Sequence, residues 1–170
     1  MPTLPPGSAN AVAPAVNATW IFTPTPVSPA TVSIWNNGTH TVYVGKSGVN
    51  QADGMPLQPG NRPMRLQNIG YTLYAVSDVT VGSSVSTLSA GYTAGTTSIV
   101  TGSSVSTSAG AVLIVGSTVN TGWEAVVVSS VSASGTTIGT TALVSDHANA
   151  QPVYSGTALP SSVVVQAGVV

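Results

Sequence analysis

The chain has 170 residues but only seven charged side chains (Lys46, Asp53, Arg62, Arg65, Asp78, Glu124 and Asp146), for a formal net charge of -1. Charged residues make up 4% of the sequence, where an ordinary soluble protein carries roughly 25%. Three basic residues cannot neutralise a run of phosphates, and no apolar run approaches the ~18 residues of a spanning helix, so neither nucleic acid nor a membrane is an expected partner.

With so little charge, copies of the chain repel one another weakly, and the polar surface has to be built from Ser, Thr, Asn, Gln and Gly. Such a surface suits a protein that spends its life packed against other subunits. The length allows one compact domain or two small ones, and two small β units would each bury only a modest core. The absence of cysteine removes disulfides and thiolate chemistry. The first residues lack both a basic segment and an apolar core, so no signal peptide is expected. The sequons at Asn17-Ala18-Thr19 and Asn37-Gly38-Thr39 are accordingly read as chance.

Residues 1–29 hold seven of the twelve prolines. Proline fixes φ and removes an amide donor, so this stretch is expected to be an extended arm with at most a short strand around Val16–Phe22. Trp20, Ile21 and Phe22 sit within it, either capping the core of the next domain or docking on a neighbour. Deleting residues 1–29 is expected to leave the two β domains folded but to weaken attachment to the partner.

From Thr31 the pattern is that of strands. Thr31–Trp35 alternates, Asn36-Asn37-Gly38 supplies turn residues, and Thr39–Val44 alternates again, which predicts a β-hairpin with Val32, Ile34, Val42 and Val44 on one face. Asp53-Gly54 and Pro59-Gly60-Asn61 are turns, flanking strands near Met64–Leu66 and Thr72–Val76.

After Asp78 the texture becomes Ser/Thr/Gly/Val. Gly82–Thr87 recurs as Gly102–Thr107, with an echo at Ser129–Ser132, and the copies read as similar hairpins of one sandwich or barrel. Further strands are predicted at Ile99–Thr101, Ala111–Val115, Glu124–Val131, Thr136–Ile138, Ala142–Val144, Val153–Tyr154 and Val163–Gln166. β-branched residues dominate them, and no segment shows a capped 3.6-residue apolar period. The fold class is therefore all-β: an extended arm over 1–29, a β domain with a hairpin over 30–78, and a Ser/Thr/Gly/Val-rich β domain over 79–170. Each domain is expected to be a small sandwich or barrel.

Catalytic and ligand-binding motifs are weak. Gly45-Lys46-Ser47 ends like a phosphate-binding loop, but His40 stands where the first glycine belongs and no helix follows. Asp146-His147 offers half a triad without a Gly-x-Ser-x-Gly elbow, and neighbours in sequence usually point apart, so the pair reads as closing a turn before Gln151-Pro152. His40 and His147 are far apart and the carboxylates are scattered, so no metal cluster and no paired-carboxylate cleft is visible. No enzymatic role, catalytic residue, metal or cofactor is expected. Arg62 and Arg65 flank Pro63; they are either solvated loop residues or partners for acidic groups on another subunit, where the planar guanidinium suits bidentate contacts.

Two stretches resemble modules of tailed-bacteriophage virion proteins. One runs from Asn37–Gly45 through Gly54-Met55-Pro56-Leu57-Gln58-Pro59-Gly60 to Leu73-Tyr74-Ala75-Val76. The other joins Gly95-Thr96-Thr97, Glu124–Val128, Gly135-Thr136-Thr137 and His147–Val153, with "GTT" turns between short strands. The resemblance covers residues 31–154 and implies a head decoration (minor capsid) protein. Such a protein would be a homotrimer assembled in the host cytoplasm and seated on the capsid exterior where major capsid protein subunits meet. Trp20, Phe22, Trp35, Arg62 and Arg65 are the candidate partner contacts. The rival reading is a tail-fibre or spike adhesin, with Tyr71, Tyr92 and Trp123 stacking on a host glycan.

Overall fold

Period-2 alternation of β-branched residues, punctuated by glycine and proline, becomes fourteen strands and no helix in a computed structural model that describes residues 9–24, 30–117 and 123–167. They are β1 (Ala9–Val12), β2 (Thr19–Phe22), β3 (Ala30–Asn36), β4 (Val42–Gly45), β5 (Met55–Leu57), β6 (Met64–Ile69) and β7 (Leu73–Ser77), then β8 (Val79–Thr87), β9 (Ser98–Val100), β10 (Val112–Val115), β11 (Glu124–Val131), β12 (Thr137–Thr140), β13 (Pro152–Ala158) and β14 (Val163–Ala167). All three sheets are antiparallel. The chain divides into two compact units, one of residues 1–49, 54–78 and 159–170, the other of 50–53 and 79–158.

The first unit is a sandwich of two four-stranded sheets, in the orders β1-β14-β3-β6 and β2-β7-β4-β5. Alternation decides which side chains go inward. Val32 and Ile34 of β3, Val42 and Val44 of β4, and Val163, Val165 and Ala167 of β14 all enter one core. Ile21, Phe22, Leu57, Ile69, Leu73 and Ala75 complete it. Removing a large aliphatic side chain from water stabilises by roughly 1.5–3 kcal/mol, so these residues dominate the stability of the unit.

The second unit is one six-stranded sheet, β8-β13-β10-β11-β12-β9, whose two ends meet. Leu88 and Thr101 form an antiparallel bridge, flanked by Ser89 N–H to Val100 O and Gly102 N–H to Thr87 O, both at 2.9 Å. Closure turns the sheet into a barrel whose interior holds Leu88, Ile99, Leu113, Val115, Val126, Val128, Ile138 and Val153. Two loop residues, Val105 and Leu143, join the same core.

Several sequence expectations change. The hairpin over Thr31–Val44 does not form: β3 and β4 lie in different sheets, and the chain crosses the sandwich between them. Its four valine and isoleucine residues share a core because two sheets face it. Neither Asn37 nor Gly38 adopts a positive φ. Gly38 is there for close approach instead, since a Cβ on it would lie 2.7 Å from Ser162 N.

In the segment expected to be an arm, Ala9–Val12 pairs with β14 and Thr19–Phe22 pairs with β7; residues 1–8 and 25–29 lie outside the described residues. At the other end, β14 inserts between β1 and β3, so residues 159–167 belong with the first unit. The repeated hexapeptide does not repeat in structure: Gly82–Thr87 lies in β8, whereas Gly102–Thr107 is loop. The copies touch, with Ser86 Oγ 2.9 Å from Ser103 Oγ. Ala142–Val144 is also loop, because its amides bond elsewhere.

Candidate functional site

Chemistry-bearing residues converge at one place in the second unit. Glu124 opens β11, the apolar strand at the middle of the sheet, and is 1% exposed. A carboxylate so enclosed must have partners. Its Oε2 accepts from Val144 N–H at 2.8 Å, and its Oε1 accepts from Ser145 N–H at 3.0 Å and from His147 Nε2 at 2.7 Å. His147, 2% exposed, sets its other ring nitrogen 2.9 Å from Gln151 Oε1. Burial lowers the His147 pKa, but the hydrogen bonds to Glu124 and Gln151 and the negative charges of Glu124 and Asp146 outweigh it, leaving a net rise above 6.5. With acceptors at both ring nitrogens, the imidazolium is the form that fits.

The same loop is tied down through its backbone. His147 exchanges hydrogen bonds with Tyr92 at 2.7 and 2.8 Å, and Asp146 Oδ1 accepts from Ala94 N–H at 2.8 Å. The Asp146 carboxylate thus caps the facing loop. Enclosed in this way, the Glu124–His147 pair ties the 141–151 segment to β11. Among the described residues no group of three or more His, Cys, Asp or Glu side chains is placed to hold a metal ion. The sequence did carry one signal for this clamp. A lone glutamate opening the strand Glu124-Ala125-Val126-Val127-Val128 needs a buried partner, and a histidine is one of the few residues here that supplies it.

A different kind of surface lies on the outward face of the sheet β1-β14-β3-β6. Because Val163, Val165, Val32 and Ile34 point inward, their neighbours point out. Ala11, Val164 and Trp35 stand directly opposite one another in one row. Ala9, Gln166, Ser33 and Arg65 form the next row. Trp35 and Val164 are half-buried, Ala9, Ala11 and Arg65 are exposed, and Arg65 is the sole charge in the two rows.

The five candidate contacts therefore separate. Trp35 and Arg65 share this face, and exposed Arg62 lies just before β6. Among the described residues neither arginine has an ion-pair partner. Phe22 is in the core at 4% exposure, with its side chain already spent on packing. Trp20 lies on the other sheet, opposite Tyr74, and its indole N–H donates to Thr23 Oγ1 at 2.6 Å. Of the aromatics proposed for glycan stacking, Tyr71 is 41% exposed but carries Lys46 Nζ 4.8 Å from its ring centre. Tyr92 is half-buried, with its hydroxyl accepting from Val100 N–H at 2.7 Å, and Trp123 is half-buried beside Glu124.

The class defined here is an all-β protein with a two-sheet sandwich unit and a closed-sheet unit, low in charge throughout. No protein-family model, curated protein or solved structure matches the chain.

Proposed function

We propose that this chain is a structural virion protein that decorates and cements the outside of a tailed-phage capsid, as a homotrimer seated on the major capsid protein. The observation that carries the reading is the outward face of the sandwich, where Ala11, Val164 and Trp35 form an apolar row bordered by a single charge, Arg65. Its burial against capsid subunits would raise the cost of separating them. Trp35 is the central anchor, because a rigid aromatic contributes large burial at low entropy cost. Arg65 and Arg62, without internal carboxylate partners among the described residues, suit acidic groups at the rim.

The test is an image reconstruction of the particle that carries this chain. Density for the chain on the capsid exterior, with this sheet face against the shell, is the expected result. Density for a few copies at a tail tip would replace the reading with that of an adhesin. On such particles, Trp35→Ala is expected to lower occupancy strongly, at a cost of about 2 kcal/mol or more in binding.

A further inference from the structure

Asn37-Gly38 is the only Asn-Gly pair in the chain, and it lies in the crossover between β3 and β4. The residue after asparagine controls a spontaneous reaction of the side chain. The amide nitrogen of residue i+1 attacks the asparagine Cγ, a C–N bond forms, ammonia leaves, and the resulting succinimide is opened by water to aspartate or isoaspartate. Glycine presents the least hindered nitrogen and the freest backbone for this attack. Asn37 itself is exposed.

The attacking atom, however, is held. Gly38 N–H donates to Asn36 Oδ1 at 2.9 Å. Asn36 is 2% exposed, and its amide nitrogen donates to His40 O at 2.7 Å and to Leu57 O at 2.8 Å. Asn37 N–H bonds Ser162 O at 2.9 Å, just before β14. The space beside Gly38 is filled as well, by the backbone at Ser161 and Ser162. For Gly38 N to reach Cγ of Asn37, it must lose its proton, leave Asn36 and swing against that backbone.

We propose that Asn37 is a latent deamidation site, with Asn36 as the guard that holds Gly38 N away from it. The reaction then proceeds through local opening of the crossover and adds one negative charge each time. In a chain of net charge -1, that addition is large and its position is fixed. Deamidated Asn37 marks molecules whose β3–β4 crossover has been open, so it records opening or ageing of the first unit.

The test follows deamidation at Asn37 by peptide mass spectrometry of the full chain in mildly alkaline buffer, native and in concentrated urea. Native protein is expected to react at least roughly tenfold more slowly, as for a turn that is open a tenth of the time or less. Equal rates in the two conditions would overturn the proposal. In Asn36→Ala, native deamidation is expected to accelerate severalfold, and it accelerates as well in Asn36→Asp, whose carboxylate can still accept from Gly38 N–H but meets the carbonyls of His40 and Leu57 without the amide that donated to them. If the two variants, with unchanged circular dichroism, react at the wild-type rate, Asn36 is not the guard. If Asn36→Ala fails to fold, the native-versus-urea ratio and Asn36→Asp decide the matter.

Discussion

At the scale of single residues, stability rests on a few positions where a side chain has no substitute. Glu124 accepts three hydrogen bonds in a buried setting. Glu124→Ala strands His147 and two loop amides, and is expected to destabilise the second unit by about 3–5 kcal/mol in urea denaturation. His147 adds a pH dependence. Its folded-state pKa is raised above 6.5, so the folded protein keeps a proton that the unfolded chain gives up. The stabilisation is complete below 6.5 and is lost as pH climbs through the raised value. Denaturation midpoints measured across that window are expected to fall with rising pH in the wild type, and to fall less in Glu124→Gln, which lacks the carboxylate charge. Gly38 is the counterpart on the backbone side. A methyl group there meets the Ser162 amide at 2.7 Å, and Gly38→Ala is expected to cost about 1–3 kcal/mol, read as a lowered Tm.

At the scale of elements, the ends of the chain matter more than their composition suggests. β14 is flanked on both sides by strands, and Val163 and Val165 are fully buried. Truncation before Leu159 exposes the inner edges of β1 and β3 and empties the core between them. The first unit is expected to lose cooperative unfolding, while the barrel built from 79–158 retains its own. Deleting 1–29 removes β1, β2, Ile21 and Phe22, and the two side chains alone represent roughly 3–6 kcal/mol of burial. The expectation that this deletion leaves the rest folded is therefore revised: thermal unfolding of the first unit should shift downward by several degrees or disappear. A first-unit transition unmoved by the deletion would show that β1 and β2 add nothing to that core.

At the scale of the whole molecule, the scarcity of charge governs behaviour. With seven charged side chains in 170 residues, surface association has few charges beyond Arg62 and Arg65 to draw on and rests mainly on apolar burial and neutral hydrogen bonds. Self-association measured by sedimentation is expected to change little between about 0.05 and 0.5 M salt, a range over which the screening length falls severalfold. Any residual salt dependence should vanish in the Arg62→Ala, Arg65→Ala double variant. A steep salt dependence that survives the double substitution would point to a charged contact elsewhere.

The sequence by itself determined the class of structure. β-branched residues in period 2, frequent turn residues and no capped helical period leave only sheets, and Glu124–Val131 was legible to the residue because an apolar strand is a local property. The inward faces of β3, β4 and β14 followed from the same alternation. Pairing did not, because which strand lies beside which is decided by distant surfaces. Asn36-Asn37-Gly38 reads locally as a tight hairpin turn. Only the tertiary structure shows Asn36 buried, bonded to Leu57 and His40, and the chain crossing to the other sheet. Glu124 and His147 are separated by 23 residues, a distance over which spacing carries no signal. The outward row of Ala11, Val164 and Trp35 draws on both ends of the chain and exists only after β14 has inserted. Local patterns encode which atoms must leave water, and the packing of the whole chain decides against what they are buried.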